Sequence, residues 1–192
     1  MVFPRLHVIT DALDVVRAVV GQGPVAVQIR VKSSDRLAYD LTVAALHLCR
    51  AAGALCLVDD RIGVALAAGA DGVHIGADDL PVAAVRRVLG PSAIVGATCR
   101  TAAAAREAVR DGASYLGVGP TFATSTKDGL PPPLGPGGVA AVAAAVPGTP
   151  VIAIGGITPT RAAGLQTYGV AAISAIVVDP ARVTAEFLRV LP

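Results

Sequence analysis

Tryptophan is absent from this 192-residue sequence, and aromatic side chains make up only 3% of it. Stacking platforms for single-stranded nucleic acid need aromatic faces, so no such partner is expected. Charge is scarce as well: 16% of residues are Asp, Glu, Lys or Arg, and the net charge of +2 is too small for a phosphate-backbone or membrane-surface footprint. Lysine is the rarest basic residue, with Lys32 and Lys127 alone among the 16 Lys and Arg positions. The stretch 129–160 carries no charge and mean hydropathy is +0.65, which raises the question of a membrane. Pro131, Pro132, Pro133, Pro136, Pro147 and Pro150 interrupt that stretch, so it lacks the roughly 20 unbroken apolar residues a spanning helix needs. No basic segment followed by an apolar core opens the chain, and no secretory leader is expected. Cys49, Cys56 and Cys99 are odd in number and lack metal-ligand spacing, which points to free thiols and a cytoplasmic location.

What the sequence does contain is a recurring phrase: a helix-like stretch, a glycine, a small residue, then an apolar run. "RAAGALCLV" (50–58), "LAAGADGVHI" (66–75), "VRDGASYLGV" (109–118) and "LQTYGVAAISAI" (165–176) repeat it. Gly53, Gly69, Gly112 and Gly169 stand where a left-handed helix cap is expected. The runs are short and continuous, as strands buried on both faces should be. Eight are expected: Leu6–Thr10, Val25–Arg30, Leu55–Asp59, Gly72–Ile75, Ala93–Ala97, Tyr115–Gly119, Val151–Ile154 and Ala171–Ala175. A helical stretch follows each. Ser34–Ala52 and Ala102–Asp111 are the clearest, and Thr158–Tyr168 carries Pro159 at a favourable first position. Eight strand–helix units over residues 1–192 imply one α/β domain, a compact (β/α)8 TIM barrel with about 24 residues per unit. The alternative is an open doubly wound sheet, but "ITDALD" (9–14) lacks the glycine-rich turn that sheet favours after its first strand.

In a barrel the active site lies at the C-terminal ends of the strands, and polar residues gather there. Gln28, Arg30 and Lys32 share one face by period two; Asp59, Asp60 and Arg61 follow the third run, and Asp78 and Asp79 the fourth. Thr98 ends the fifth. The sixth leads into "GPTFATSTKDG" (119–129), with Thr124, Ser125, Thr126 and Lys127. The seventh ends in Gly155–Ile157, and the eighth carries Ser174. Arg30, Lys32 and Lys127 offer three cations to one anion. Gly155 and Gly156 let backbone N–H groups approach a phosphate. Asp60 and Asp79 beside a phosphate site make sense if Mg2+ bridges them, since Mg2+ is usually held by one or two carboxylates plus substrate phosphates. The pattern reads as diphosphate with Mg2+ at strands 2–6 and a monophosphate at strands 7–8. Each feature also has a plainer reading. A Gly-Gly after a strand can merely turn the chain, Asp78 and Asp79 can start a helix, and His74 suits the barrel interior better than a catalytic role. Cys99 at the rim lacks a neighbouring histidine to activate it. Arg86 and Arg87 read as a solvated helix face. The proline-rich loop from Ala123 to Gly135 reads as a lid over the site, ordered by ligand.

Taken together, "VQIRVK", "LVDDR", "DGVHIGADDL", "IVGATCRT", "YLGVGPTFATSTKDG", "VIAIGGIT" and "ISAI" resemble, in order and across almost the whole chain, the thiamine phosphate synthase family, within a superfamily that includes the TenI-like thiazole tautomerases. The resemblance implies an enzyme that joins hydroxymethylpyrimidine diphosphate to hydroxyethylthiazole phosphate, releasing diphosphate. It places Gln28, Ile29, Arg30, Val31, Lys32, Asp59, Thr98 and Lys127 around the pyrimidine diphosphate, with Arg30, Thr98 and Lys127 acting on the reaction. It gives Mg2+ to Asp60 and Asp79, and the thiazole phosphate to Thr124, Ser125, Thr126, Gly156, Ile173 and Ser174. The implied partners are small phosphorylated molecules, with no nucleic acid and no membrane; a homo-oligomer is left open. Four positions depart from the family pattern: Val31 stands for Glu, Asp59 for Asn, Ala77 for Gln and Arg100 for the usual His. Two alternatives stand beside the synthase: a TenI-like tautomerase, against which Pro120 occupies the place of the catalytic His, and a non-catalytic phosphate-binding paralogue, against which the Asp60 and Asp79 pair argues, since holding phosphate alone requires no carboxylates. An ionised Asp59 would repel a diphosphate unless it joins the metal, pairs with Arg61 or Arg100, or turns away.

Overall fold

The computed structural model describes residues 3–126 and 129–192, and these form a closed barrel of eight parallel strands in sequence order. The strands are β1 (Leu6–Thr10), β2 (Val25–Ile29), β3 (Leu55–Asp59), β4 (Gly72–Ile75), β5 (Ile94–Cys99), β6 (Tyr115–Val118), β7 (Val151–Ala153) and β8 (Gly169–Ala172). The helices are α1 (Leu13–Val19), α2 (Asp35–Ala52), α3 (Ile62–Ala68), α4 (Val82–Leu89), α5 (Ala102–Arg110), α6 (Gly135–Ala144), α7 (Pro159–Ala162), α8 (Ser174–Val177) and α9 (Pro180–Val190). Closure comes from β1 pairing with both β2 and β8, Leu6 opposing Val25 on one side and Val170 on the other. The open doubly wound alternative is thereby excluded.

Local chemistry sets the element boundaries. Ser34, Thr101 and Thr158 cap α2, α5 and α7 by accepting the backbone N–H of Leu37, Ala104 and Arg161. Gly53 and Gly69 end α2 and α3 at φ of 68° and 67°, the left-handed conformation that glycine adopts without a Cβ penalty. Most apolar mass lies between the strands and the helices, in a continuous layer built largely of Val, Leu and Ala. Inside the barrel a smaller cluster forms around Ile9, Ala26, Leu57, Tyr115, Ile152 and Ala171. Gly96 makes room for it: a Cβ there would fall 2.1 Å from the Tyr115 ring and 2.5 Å from His74 Nδ1.

The sequence reading is corrected in four places. Gly169 does not cap a helix; it opens β8, because a Cβ there would lie 2.2 Å from the carbonyl oxygen of Arg5. β8 therefore starts early and stops at Ala172, and Ser174 begins the single turn of α8 instead of lying in a strand. The helix expected over Thr158–Tyr168 is one turn, Pro159–Ala162, since Gly164 and Leu165 fold back onto carbonyls only three residues away. Arg86 is not a solvated face residue. Its guanidinium donates to the Gly112 carbonyl at 2.8 Å and to Ser114 Oγ at 2.8 Å, tying α4 to the loop before β6, while Arg87 is exposed.

Candidate functional site

A cavity of about 450 Å³ opens at the C-terminal ends of the strands and descends into the barrel. β2 and the residue after it supply Gln28 and Arg30; the end of β3 supplies Asp59 and Asp60. β4 and its loop bring His74, Gly76, Ala77 and Asp78, and β5 brings Thr98 with Arg100 just beyond it. Thr124 and Thr126 arrive from the β6 loop, Gly155–Ile157 from the β7 turn, and Ile173 and Ser174 from the end of β8. Ile29, Val31, Lys32, Asp79 and Ser125 are not brought to its wall. Ile29 is buried at 1% exposure against the helices. Val31 packs on the same outer layer. Lys32 and Ser125 are exposed. Period two holds for Gln28 and Arg30 but cannot reach Lys32, because β2 has already ended at Ile29. Lys127 and Asp128, the middle of the loop read as a lid, lie outside the described residues.

Asp59 has a definite setting: it lines the cavity, and its partner is neither Arg61 nor Arg100. One carboxylate oxygen accepts a hydrogen bond from Gln28 Nε2, and the other lies 3.1 Å from Arg30 Nε. Parallel pairing explains it: Ile29 opposes Val58, so the next residue of each strand end, Arg30 and Asp59, are neighbours. Arg61 turns instead to the Asp35 carboxylate and the carbonyls of Val31 and Lys32. Arg100 donates to the carbonyls of Gly119 and Pro132 at 2.6 and 2.8 Å.

Asp60 is held at φ 61°, a left-handed conformation that Asp tolerates better than most residues, with its N–H bonded to the His74 carbonyl at 2.8 Å. Asp79 does not cap α4, whose N-cap is Pro81; its Oδ2 accepts the Gly76 N–H at 2.6 Å. The two carboxylates converge on Gly76. A Cβ at that glycine would sit 3.0 Å from Asp79 Oδ2 and 3.9 Å from Asp60 Oδ1. On the opposite rim, Gly155 and Gly156 have φ of 94° and 64°. Side chains there would strike Pro120 Cβ at 2.6 Å and the Ala123 carbonyl at 2.6 Å, so only glycine allows the β7 turn to pack under the β6 loop.

The cavity floor was missed by the sequence reading. His7 is 1% exposed, lines the cavity, and has no hydrogen-bond partner for either ring nitrogen among the described residues. It packs on Tyr115 at 4.9 Å and Phe3 at 5.3 Å between ring centroids. The available signal was its period-two relation to Ile9, another inward residue of β1. His74 sits above it, Nδ1 3.0 Å from the Tyr115 hydroxyl and Nε2 3.0 Å from Thr98 Oγ1, as expected of an interior residue. Burial, and then the nearness of His74, lowers the pKa of His7 from 6.5 to about 3; burial also lowers that of His74. Burial pushes the Cys99 thiol up to about 11, which removes it as a thiolate nucleophile.

These depressed histidines predict an acid-labile fold. The unfolded chain takes up a proton on His7 near pH 6.5, while the folded chain resists until about pH 3. The stabilisation is complete above pH 6.5 and is lost as pH falls toward about 3, at up to roughly 1.4 kcal/mol per pH unit. Urea unfolding between pH 7 and 4 should show this slope reduced in His7→Phe. Parallel slopes in the two proteins would remove His7 as its source.

Comparison with known proteins agrees with this geometry. The family model described as thiamine monophosphate synthase matches residues 2–177. The curated thiamine-phosphate synthase of Salinispora arenicola (strain CNS-205) is 55% identical, over 97% of both chains. That of Salinispora tropica is 52% identical over the same shares. The solved structure of thiamine phosphate pyrophosphorylase from Pyrococcus furiosus superposes with a TM-score of 0.83 at 32% identity, covering 97% of this chain and 94% of the other.

Proposed function

This chain belongs to the thiamine monophosphate synthase family, a family of transferases, and we propose that it condenses hydroxymethylpyrimidine diphosphate with hydroxyethylthiazole phosphate. The observation that carries this reading is the division of one cavity into two ends of different chemistry, one a cation among carboxylates that suits a metal-bound diphosphate, the other a glycine turn with a hydroxyl that suits a phosphate. Arg30 lies with three acidic residues, Asp59, Asp60 and Asp78, at the β2–β4 end, and a positive-φ glycine turn lies with Ser174 at the β7–β8 end. A ligand carrying a phosphate at each end, or two ligands meeting in the middle, suits that arrangement.

In this reading the bond from the pyrimidine methylene carbon to the diphosphate oxygen breaks first, and both its electrons leave with the diphosphate. The thiazole nitrogen then donates its lone pair to the methylene cation to form the new C–N bond. No protein nucleophile is consumed and no proton need move. The chain's part is positioning and charge stabilisation. Arg30 faces the departing oxygens, Asp59, itself held by the Gln28 amide, fixes its guanidinium, and Thr98 is held in place by His74. Gly156 and Ser174 offer N–H and hydroxyl donors to the thiazole phosphate, beside Thr124 and Thr126, whose hydroxyls are 3.1 Å apart. Lys127 keeps its expected role on the diphosphate as part of the proposal.

The convergence of Asp60 and Asp79 on a side-chain-free Gly76 fits Mg2+: two carboxylates with space between them, to be completed by substrate oxygens. Bound there, Mg2+ would neutralise charge on the leaving diphosphate. Among the described residues no group of three or more His, Cys, Asp or Glu side chains is placed to hold a metal. The three cysteines are free and buried, and no described helix is long and apolar enough to cross a membrane; both suit the proposed cytoplasmic setting. Pro120, buried at the foot of the β6 loop, leaves no base where the tautomerase reading requires one. Incubation of the purified protein with both substrates should yield thiamine phosphate with Mg2+ and none after chelation. Absence of product under both conditions would overturn the proposed reaction.

A further inference from the structure

The segment 131–133 is three consecutive prolines, exposed to solvent, and it follows Gly129 and Leu130 in the wall of the cavity. Prolines have no backbone N–H, so this leg cannot donate a hydrogen bond to any neighbour and can be held only through its carbonyls. Among the described residues no hydrogen bond reaches Pro131 or Pro132 except one. Arg100 donates from one terminal nitrogen to the Pro132 carbonyl at 2.8 Å and from the other to the Gly119 carbonyl at 2.6 Å. Gly119 directly follows β6 and Pro132 lies on the returning leg, so the guanidinium clasps the outgoing and returning ends of one loop. A planar fork can serve two carbonyls at once; a lysine ammonium would be a point donor on a flexible stem.

The rest of the loop's base is backbone: Leu134 N–H bonds the Pro120 carbonyl at 2.8 Å and Gly135 N–H bonds the Thr121 carbonyl at 3.1 Å. Those bonds fix the entry to α6 and stop short of the prolines. Arg100 therefore sets where Gly129, Leu130 and Pro131 stand against the cavity, and it does so from the end of β5, two residues beyond Thr98.

We propose that Arg100 is a positioning residue, the clasp that holds the polyproline leg as one wall of the substrate cavity. This rests on the synthase reading for its kinetic consequence but not for its structural one, so the two can fail separately. Arg100→Met keeps an unbranched aliphatic stem and removes all donors; Arg100→Lys restores a single donor group. Hydrogen exchange of the ligand-free protein should rise about tenfold or more in Arg100→Met at Leu134 and Gly135, the hydrogen-bonded amides that follow the prolines, as loss of two charge-assisted bonds beside them would cause, with the amides of β5 and β6 unchanged. The KM of the phosphorylated substrates should rise by a similar factor with a smaller change in kcat, and Arg100→Lys should fall between the variant and wild type. Unchanged exchange at Leu134 and Gly135 in Arg100→Met would overturn the clasp. So would a loss confined to kcat, which would make Arg100 a group acting on the reacting atoms, or a uniform rise in exchange through the barrel, which would make it merely structural. If Arg100→Met fails to fold, the same measurements on Arg100→Lys decide. A wild-type protein that forms no thiamine phosphate would remove the synthase reading and leave the exchange result standing.

Discussion

Replacing Asp60 or Asp79 with alanine is expected to abolish Mg2+-dependent turnover while the barrel stays folded. The expectation comes from where the two side chains stand, exposed on either side of Gly76 and outside the packed core. Asp60 is exposed at the cavity mouth, and its backbone is already fixed by the N–H bond to the His74 carbonyl. Its φ of 61° is a conformation in which alanine fares slightly worse than Asp, a cost of about 1 kcal/mol. Asp79 gives up one hydrogen bond, to Gly76 N–H, worth about 1 kcal/mol net at a partly exposed site. Neither loss threatens a domain of ordinary stability. The electrostatic loss is far larger in effect, since a diphosphate leaving group without its cation must depart against its own charge. Asp79→Asn separates the two roles, because the amide oxygen still accepts from Gly76 and only the charge is lost. Initial rates against Mg2+ concentration, with thermal melts in Mg2+ and inorganic diphosphate together, measure both sides. Each alanine variant should melt near the wild type without ligand and lose the upward shift that Mg2+ and diphosphate jointly produce. Wild-type rates in either variant would end the assignment of the metal to these two carboxylates.

The barrel was legible because its signals are local and repeated. Continuous apolar runs after glycine stops predicted all eight strands, and glycines 53 and 69 sit in the left-handed caps their spacing suggested. Where the reading failed, a contact distant in sequence decided the outcome. Gly169 looks like a helix cap until Arg5, more than 160 residues earlier, is placed against it. Arg86 looks solvated until Gly112 and Ser114 are brought beneath α4. The site was legible to a similar depth. Gln28, Arg30, Asp60 and Thr98 could be chosen because they end strands, and strand ends meet in a barrel. That Lys32 stands off the cavity wall could not be read without knowing that β2 stops at Ile29. His7 escaped because nothing near it in sequence marks its two unpartnered nitrogens. The Asp59–Arg30 pair was within reach of inference. Arg61 is near Asp59 in sequence and Arg100 departs from the family pattern, but neighbouring parallel strands of known register place Arg30 beside it.

That pair sets up the second large effect. Arg30→Met should lower turnover by roughly a hundredfold or more, as loss of one preorganised cation at a developing anion does, and should also destabilise the fold. The stability cost arises at Asp59. Its side chain is 11% exposed, and its two oxygens are served by Gln28 and Arg30. Without Arg30 a mostly buried carboxylate keeps one neutral donor and no counter-charge, an arrangement costing roughly 2–4 kcal/mol after allowance for its remaining exposure. Asp59→Asn alone should behave differently. It frees Arg30 from a competing anion and removes a negative charge from the cavity, so the KM for the pyrimidine diphosphate should fall, while the lost ion pair costs little. The double variant then separates the two roles of Arg30. With Asn at position 59 there is no charge to strand, so Arg30→Met in that background should recover most of the lost stability yet remain catalytically impaired. Urea unfolding and steady-state kinetics on the four proteins give the coupling directly. If the double variant is no more stable than Arg30→Met, the stability cost does not arise from stranding the Asp59 carboxylate. If turnover returns with stability, Arg30 served the fold and the cation for the leaving group must be sought elsewhere along the rim.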